Sequence, residues 1–299
     1  MTQEYRPIAA SLWMIGSVLS FSAMAVAGRM ISDIHDTFEI MAARSILSFV
    51  ILLLFILPTG RIREISTDRI GQHLLRNIIH FSGQNLWFYA LFLIPLAQVF
   101  ALEFTSPIWV VLLAPIFLGE TLTRVKIIAA TLGFAGTLIV ARPDFGQIDI
   151  GVLAGAGAAF CFAATNIATK SLTRHESVIS ILFWLTLMQS VMGMITAGYD
   201  GQFTMPTAMT LPILLLIAVA GLTAHFTLTK ALTLAPASVA VPVDFIRLPI
   251  AALLGWMLYD EVVSANVWLG GIMIIIAVWI NLKASKPRLS GNTTGSKPI

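Results

Sequence analysis

Four ionisable side chains fall inside long apolar runs of this chain: Arg44, Glu103, Asp244 and Arg247. A charge in hydrocarbon is costly, so each marks a candidate functional position. Asp244 and Arg247 stand at i and i+3, a spacing that lets them simply neutralise one another on one helix face. Packed apolar groups can replace such a pair at little cost, so its presence argues for a role. Glu103 has no partner in its own run, and Arg44 or His80 could supply one from across a bundle. A guanidinium at Arg247 is suited to holding a carboxylate or a phosphate. Glu39 lies at the edge of a run and reads as a solvated helix cap.

A second group is polar but uncharged. Asn77, His80, Gln84 and Trp87 recur at helical spacing, with Asn85 and Tyr89 alongside, which puts the four on one face. That stripe reads as a cavity wall, with helix-to-helix adhesion as the alternative. Asn166, Thr169, Gln189 and His225 add amides, a hydroxyl and an imidazole, and for Gln189 adhesion is the simpler reading. Unperturbed histidine titrates near neutral pH, so His80 or His225 could couple the protein's work to protons; a histidine held by structural hydrogen bonds is the other reading. Trp87, Phe104, Trp109, Trp184 and Phe245 can pave an apolar cavity or stack on a cation. Trp13, Trp268 and Trp279 fit lipid or interface positions.

The elements that carry these residues must cross a membrane. With 58% hydrophobic and 11% charged residues and a mean hydropathy of +0.89, the chain lies outside the soluble range. Apolar stretches near the roughly 20 residues that span a bilayer occur at 8–28, 38–57, 74–94, 97–118, 126–141, 150–169, 178–198, 211–230, 238–258 and 265–282. The spacing predicts an all-α polytopic protein of ten transmembrane helices.

A shift of 141 residues lays the chain over itself without a gap. Leu12, Gly16 and Phe21 fall on Leu153, Gly157 and Phe162, while Pro95, Phe104 and Glu120 fall on Pro236, Phe245 and Glu261. Glu103 meets Asp244. The domains are therefore 1–141, 142–286 and a tail at 287–299 rich in Ser, Gly, Thr and Pro that is expected to be disordered. Five spans per copy is odd, so the copies are inverted. With the N terminus inside, all of the 18 Lys and Arg except Arg29, Arg44, Arg142 and Arg247 fall on the cytoplasmic side, Arg76 among them, which is a positive-inside asymmetry. Both termini are then cytoplasmic. These loop charges account for the basic pI of 9.2, so no nucleic-acid partner is required. Cleavage after Ala25-Val26-Ala27 is the rival reading of the first span; it would deprive span six of its symmetry mate. Cys161 is the only cysteine, which excludes an internal disulfide.

Glu103 and Asp244 enter from opposite faces and flank the midplane, each about six residues or roughly 9 Å into its span. Arg247 comes out near the midplane itself, where carriers with inverted repeats place their substrate. Pro107, Pro242 and Pro249 each free a backbone carbonyl beside these charges, which is tolerated only within protein or at a water-filled cavity. Plain kinks without substrate contact would leave the same signature.

Each repeat ends its fourth span in an acidic signature, Phe117-Leu118-Gly119-Glu120-Thr121 and Leu258-Tyr259-Asp260-Glu261-Val262, followed by a glycine-dotted fifth span. From residue 8 to 282 the chain resembles drug/metabolite transporters (the DMT superfamily) of the EamA type, although Asp260 stands where glycine is usual. The resemblance implies secondary transport by alternating access in a bacterial cytoplasmic membrane, around a cavity built by spans one, three, four, six, eight and nine. It points to small amino acids or their derivatives, in the manner of amino-acid exporters including aromatic ones, with efflux expected and S-adenosylmethionine uptake as the alternative. A zwitterion suits the charges, with Arg247 or Arg44 for a carboxylate and Glu103 or Asp244 for an amine. Glu120 and Glu261 are expected to serve the fold by capping helix ends.

The substrate-binding residues expected are Asn77, His80, Gln84, Trp87, Glu103, Trp109, Asn166, His225, Asp244 and Arg247. No catalytic residue, metal or cofactor is expected. His175-Glu176 lacks the second histidine of a zinc motif, and no nucleophile elbow or phosphate-binding glycine loop occurs, which disfavours an intramembrane enzyme. A channel is disfavoured because an in-plane pseudo-twofold suits a rocking carrier. Both halves reside in one chain, so a monomer suffices.

Overall fold

A computed structural model describes residues 5–31, 34–94, 96–141, 150–199, 204–250, 253, 257 and 265–284. The helices are α1 (Pro7–Arg29), α2 (Thr37–Ile56), α3 (Ile70–Leu93), α4 (Leu96–Glu103), α5 (Ser106–Leu118), α6 (Arg124–Ala141), α7 (Ile150–Leu172), α8 (Val178–Ala197), α9 (Leu211–Leu234), α10 (Ala237–Ala240) and α11 (Ala265–Ala284). Short 3₁₀ segments lie at Arg61–Glu64 and Val241–Ile246, and no strand occurs among the described residues. Seven described segments are long and apolar enough to cross a membrane. Helix α3 has the length, at 24 residues, but carries Arg76, Asn77, His80 and Gln84 within it. The second acidic signature, Arg142 and the tail at 287–299 lie outside the described residues.

The 141-residue shift carries α2 onto α8 and α3 onto α9 with the same first and last residues. Local chemistry explains the shared ends. Ile94, just before Pro95 in the sequence, is extended at φ −130 and ψ 157, and Ala235 before Pro236 is extended at φ −149 and ψ 162. Proline forces that choice on the residue before it. At the start of α2, Asp36 and Glu39 form a capping box, Glu39 N donating to Asp36 Oδ1 at 2.9 Å and Asp36 N to Glu39 Oε2 at 3.2 Å. Glu39 is thus a cap as expected, but a buried one, also bonded to His35 and to the backbone of Thr204.

The repeats interlock. Helix α1 packs on α9 and α3 on α7, while α2 pairs with its own mate α8 and α6 with its mate α11. Mates that touch each other lie on the pseudo-twofold, so the axis runs from the α2/α8 crossing to the α6/α11 crossing. Phe104 and Phe245, equivalent by the shift, also meet there, with ring centroids 6.5 Å apart. At α6/α11 the approach is close enough that a Cβ on Gly270 would lie 2.5 Å from the carbonyl oxygen of Gly136. Gly270→Val is therefore expected to lower stability by about 1–3 kcal/mol, the usual cost of overpacking. A melting temperature in detergent, equal to that of the unaltered protein, would contradict this.

Both fourth spans are discontinuous. In the first repeat α4 stops at Glu103 and α5 restarts at Ser106, with Pro107 in its first turn. In the second, α10 passes into the 3₁₀ segment, and regular helix resumes at Arg247. Pro242 cannot donate to the carbonyl of Ser238, and Asn281 Nδ2 on α11 donates to that oxygen instead at 3.2 Å. The first acidic signature also acquires a mechanical reading. Gly119 ends α5 in the left-handed region at φ 66, which glycine adopts without strain. The turn delivers Glu120 to the start of α10, where its carboxylate accepts from the backbone N–H of Ala237 at 2.7 Å and of Ser238 at 3.0 Å. Lys126 Nζ completes the joint by donating to Ser238 Oγ at 3.0 Å.

Candidate binding site

The break in α4 and the 3₁₀ turn in its mate bring together three of the four charges expected within spans. Arg247 Nη2 donates to Glu103 Oε1 and, at 3.0 Å, to Asp244 Oδ2. The other Glu103 oxygen accepts from Trp87 Nε1 on α3 at 2.8 Å. A 3₁₀ helix rises about 2.0 Å per residue against 1.5 Å for an α-helix, so the segment carries Asp244 and Arg247 deeper than regular helix would. The guanidinium carbon lies 5.1 Å from the Phe104 centroid and 5.7 Å from that of Phe21 on α1, a cation–π arrangement.

The i and i+3 pair therefore exists, but it does not close on itself. Arg247 is shared between two carboxylates, so the cluster carries one surplus negative charge when all three groups are ionised. Arg247 is engaged as a bridge, and the cluster as a whole suits a cation rather than an anion. The side chains retain exposures of 18% for Arg247 and 21% for Asp244, leaving them open to a small molecule.

Phe21 leads from this cluster to a second one. Its ring meets His225 edge-on at 5.4 Å, and His225 in turn meets His80 edge-on at 5.1 Å. His80 Nδ1 and Nε2 and His225 Nδ1 are buried without a hydrogen-bond partner among the described residues, so neither is fully tied as a structural histidine would be. Beside them Gln84 satisfies its neighbours in one amide orientation only. Its oxygen accepts from Arg44 Nη2 at 2.7 Å and its nitrogen donates to Gln189 Oε1 at 3.0 Å.

The remaining expected residues divide. Asn77 is buried in a tie, donating to the carbonyl of His73 at 2.9 Å and accepting from Arg76 Nη1 at 2.9 Å, which is packing chemistry. Asn166 on α7 is half-buried. Trp109 makes no ring or hydrogen-bond contact with the cluster among the described residues: it is exposed and packs edge-on against Phe160 at 5.7 Å. Arg76, counted with the cytoplasmic loops, is inside α3, 1% exposed, and donates to Thr169 Oγ1 at 3.1 Å. Phe21 was not singled out, because nothing in an apolar run distinguishes a ring that faces a charge from one that faces lipid.

Comparison with known proteins follows the same architecture. The family described as "EamA-like transporter family" matches residues 8–142 and again 149–283. A "Riboflavin transporter" of Vibrio cholerae is 28% identical over 298 residues, covering 96% of this chain and 99% of that one. An "S-adenosylmethionine uptake transporter" of Rickettsia bellii is 26% identical over 278 residues, covering 93% and 94%. A crystal structure of a protein 16% identical shares the fold with a TM-score of 0.77, over 91% of this chain and 95% of the other.

Proposed function

This chain belongs to the EamA-like transporter family and is a multi-pass protein of a bacterial inner membrane, and on that premise we propose that it carries an amino-acid-derived metabolite by alternating access. The observation that carries this reading is the Glu103–Arg247–Asp244 cluster, with its surplus negative charge set among Trp87, Phe21 and Phe104. A substrate that joins a cation to an aromatic or apolar body complements it. Amino acids meet that description through the ammonium group. S-adenosylmethionine meets it more fully, through a sulfonium, an ammonium and a purine. Both termini are cytoplasmic on this reading, one chain suffices, and gradients set the direction, with efflux for a metabolite made inside.

A second reading is supported by the similarity to a riboflavin transporter across nearly the whole chain: an uncharged ring system stacked on the same aromatics. Uptake into proteoliposomes separates the two. Labelled S-adenosylmethionine, phenylalanine and riboflavin are offered with and without a pH gradient, against protein-free vesicles. Saturable uptake of either amino-acid compound is expected. Uptake of riboflavin alone would transfer the assignment to the second reading.

A further inference from the structure

We propose that Arg44, oriented by the Gln84 amide, is the anion-binding end of the substrate site and takes a carboxylate. The proposal rests on the carrier reading above and assigns the end of the site that receives the substrate's carboxylate.

Among the described residues Arg44 is a buried cation without an anion. It lies inside α2, is 8% exposed, and has no carboxylate within ion-pair distance among the described residues. Its neighbours are the Gln84 oxygen and Met24 Sδ at 3.8 Å. A guanidinium carries five N–H donors, and these two neighbours leave some uncommitted. A buried charge is retained in hydrocarbon only where something compensates it. The second buried guanidinium, Arg76, does not supply that compensation, since it bonds to a hydroxyl and an amide and carries the same sign. Glu103 and Asp244 are committed to Arg247. Neither therefore compensates Arg44, and the carboxylate of an incoming substrate can.

The surroundings of Arg44 are built for a small group. A cavity of about 20 Å³ is lined by Arg44, Ser45, Ser48, Thr186, Gln189 and His225, among others. That is about the space one oxygen-sized group needs. Position adds a second argument. The 141-residue shift pairs Ser45 with Thr186, Ser48 with Gln189 and Arg44 with Leu185, and all six line the cavity. The cavity therefore sits on the pseudo-twofold at the α2/α8 crossing, at the level where inverted-repeat carriers hold their substrate. Symmetry accounts for the polar pairs but not for the charge, because the mate of Arg44 is a leucine. The cation is a feature of one copy alone, as a site for an asymmetric molecule requires.

His225 and Phe21 lie between this cavity and the acidic cluster. A substrate laid along that line places its carboxylate at Arg44 and its apolar body against the two rings, and a cationic group reaches Glu103 and Asp244 only from the far end of that body. Gln84 is a positioning residue that fixes the guanidinium.

The test compares binding of S-adenosylmethionine and its decarboxylated form to purified protein. The unaltered protein is expected to prefer the carboxylate-bearing compound by about tenfold or more, in line with charge-assisted hydrogen bonds. Arg44→Gln is expected to bind both alike, and Arg44→Lys to recover part of the preference. A preference undiminished in Arg44→Gln would overturn the assignment. If Arg44→Gln is not recovered folded, Gln84→Leu serves, with a reduced preference expected and an unchanged one overturning it. If neither compound binds, the substrate reading fails, and the subsite is then read with acetate alone. Replacing gluconate by acetate should raise the melting temperature of the unaltered protein and not of Arg44→Gln, and an equal response would overturn the subsite.

Discussion

Arg247→Ala is expected to abolish transport in a protein that still inserts and still binds detergent as a monodisperse species. The side chain holds Glu103 and Asp244 together, and these come from the two discontinuous spans, one in each repeat. Removing it leaves two carboxylates facing one another in a low-dielectric interior. Breaking a buried pair in this way costs about 3–5 kcal/mol; borne by the closed state that brings the two spans together, at 1.4 kcal/mol per factor of ten, that cost lowers the rate by roughly 100-fold or more. The spans would also be driven apart, so the loss should appear in the maximal rate as well as in affinity. Arg247→Lys keeps the charge but not the planar fork that reaches both partners, and is expected to fall between. Uptake by purified, reconstituted Arg247→Ala at the unaltered rate would remove this residue from the mechanism.

Glu103→Gln should have the second-largest effect, and of a different kind. A glutamine there can still accept from Trp87 Nε1 and still lie against Arg247, so the packing of α3 on α4 is preserved. What disappears is the surplus negative charge. Affinity for a cationic substrate is expected to fall about tenfold or more, the scale of one charge-assisted interaction, while affinity for uncharged riboflavin should be unaltered. If the carboxylate also exchanges a proton during the cycle, the pH profile of transport should flatten. An unchanged affinity together with an unchanged pH profile would contradict both roles.

Much of the architecture was legible because duplication writes itself into positions. Helices α3 and α9 end at the equivalent residues Leu93 and Leu234, and the 141-residue shift aligns Pro95 with Pro236 just after them in the sequence. The acidic cluster was legible for a similar reason: a charge in an apolar run is costly, so Glu103, Asp244 and Arg247 stand out in the sequence before any geometry. Their bonding did not, since a spacing of i and i+3 suggested a closed pair and could not show Glu103 arriving from the other repeat. Side-chain facing was the least legible feature. In a bilayer, lipid and protein interior are both apolar, so the periodicity that marks the buried face of a soluble helix is lost. For Trp109 the sequence carries no signal that tells one face from the other. Arg76 counts among the cytoplasmic charges in the sequence because it stands only two residues inside the expected span at 74–94, whereas the helix begins at Ile70 and encloses it.

The central claim, a carrier that exposes one midplane site alternately to each side, is tested most directly by counterflow. Proteoliposomes are loaded with unlabelled S-adenosylmethionine, or with whichever compound the uptake comparison selects, and diluted into a trace of the labelled form. An alternating-access carrier predicts a transient accumulation of label above its equilibrium level, absent from vesicles holding Arg247→Ala. Label that equilibrates without overshoot, at a rate indifferent to the internal load, would mean a continuous pore and would contradict the account.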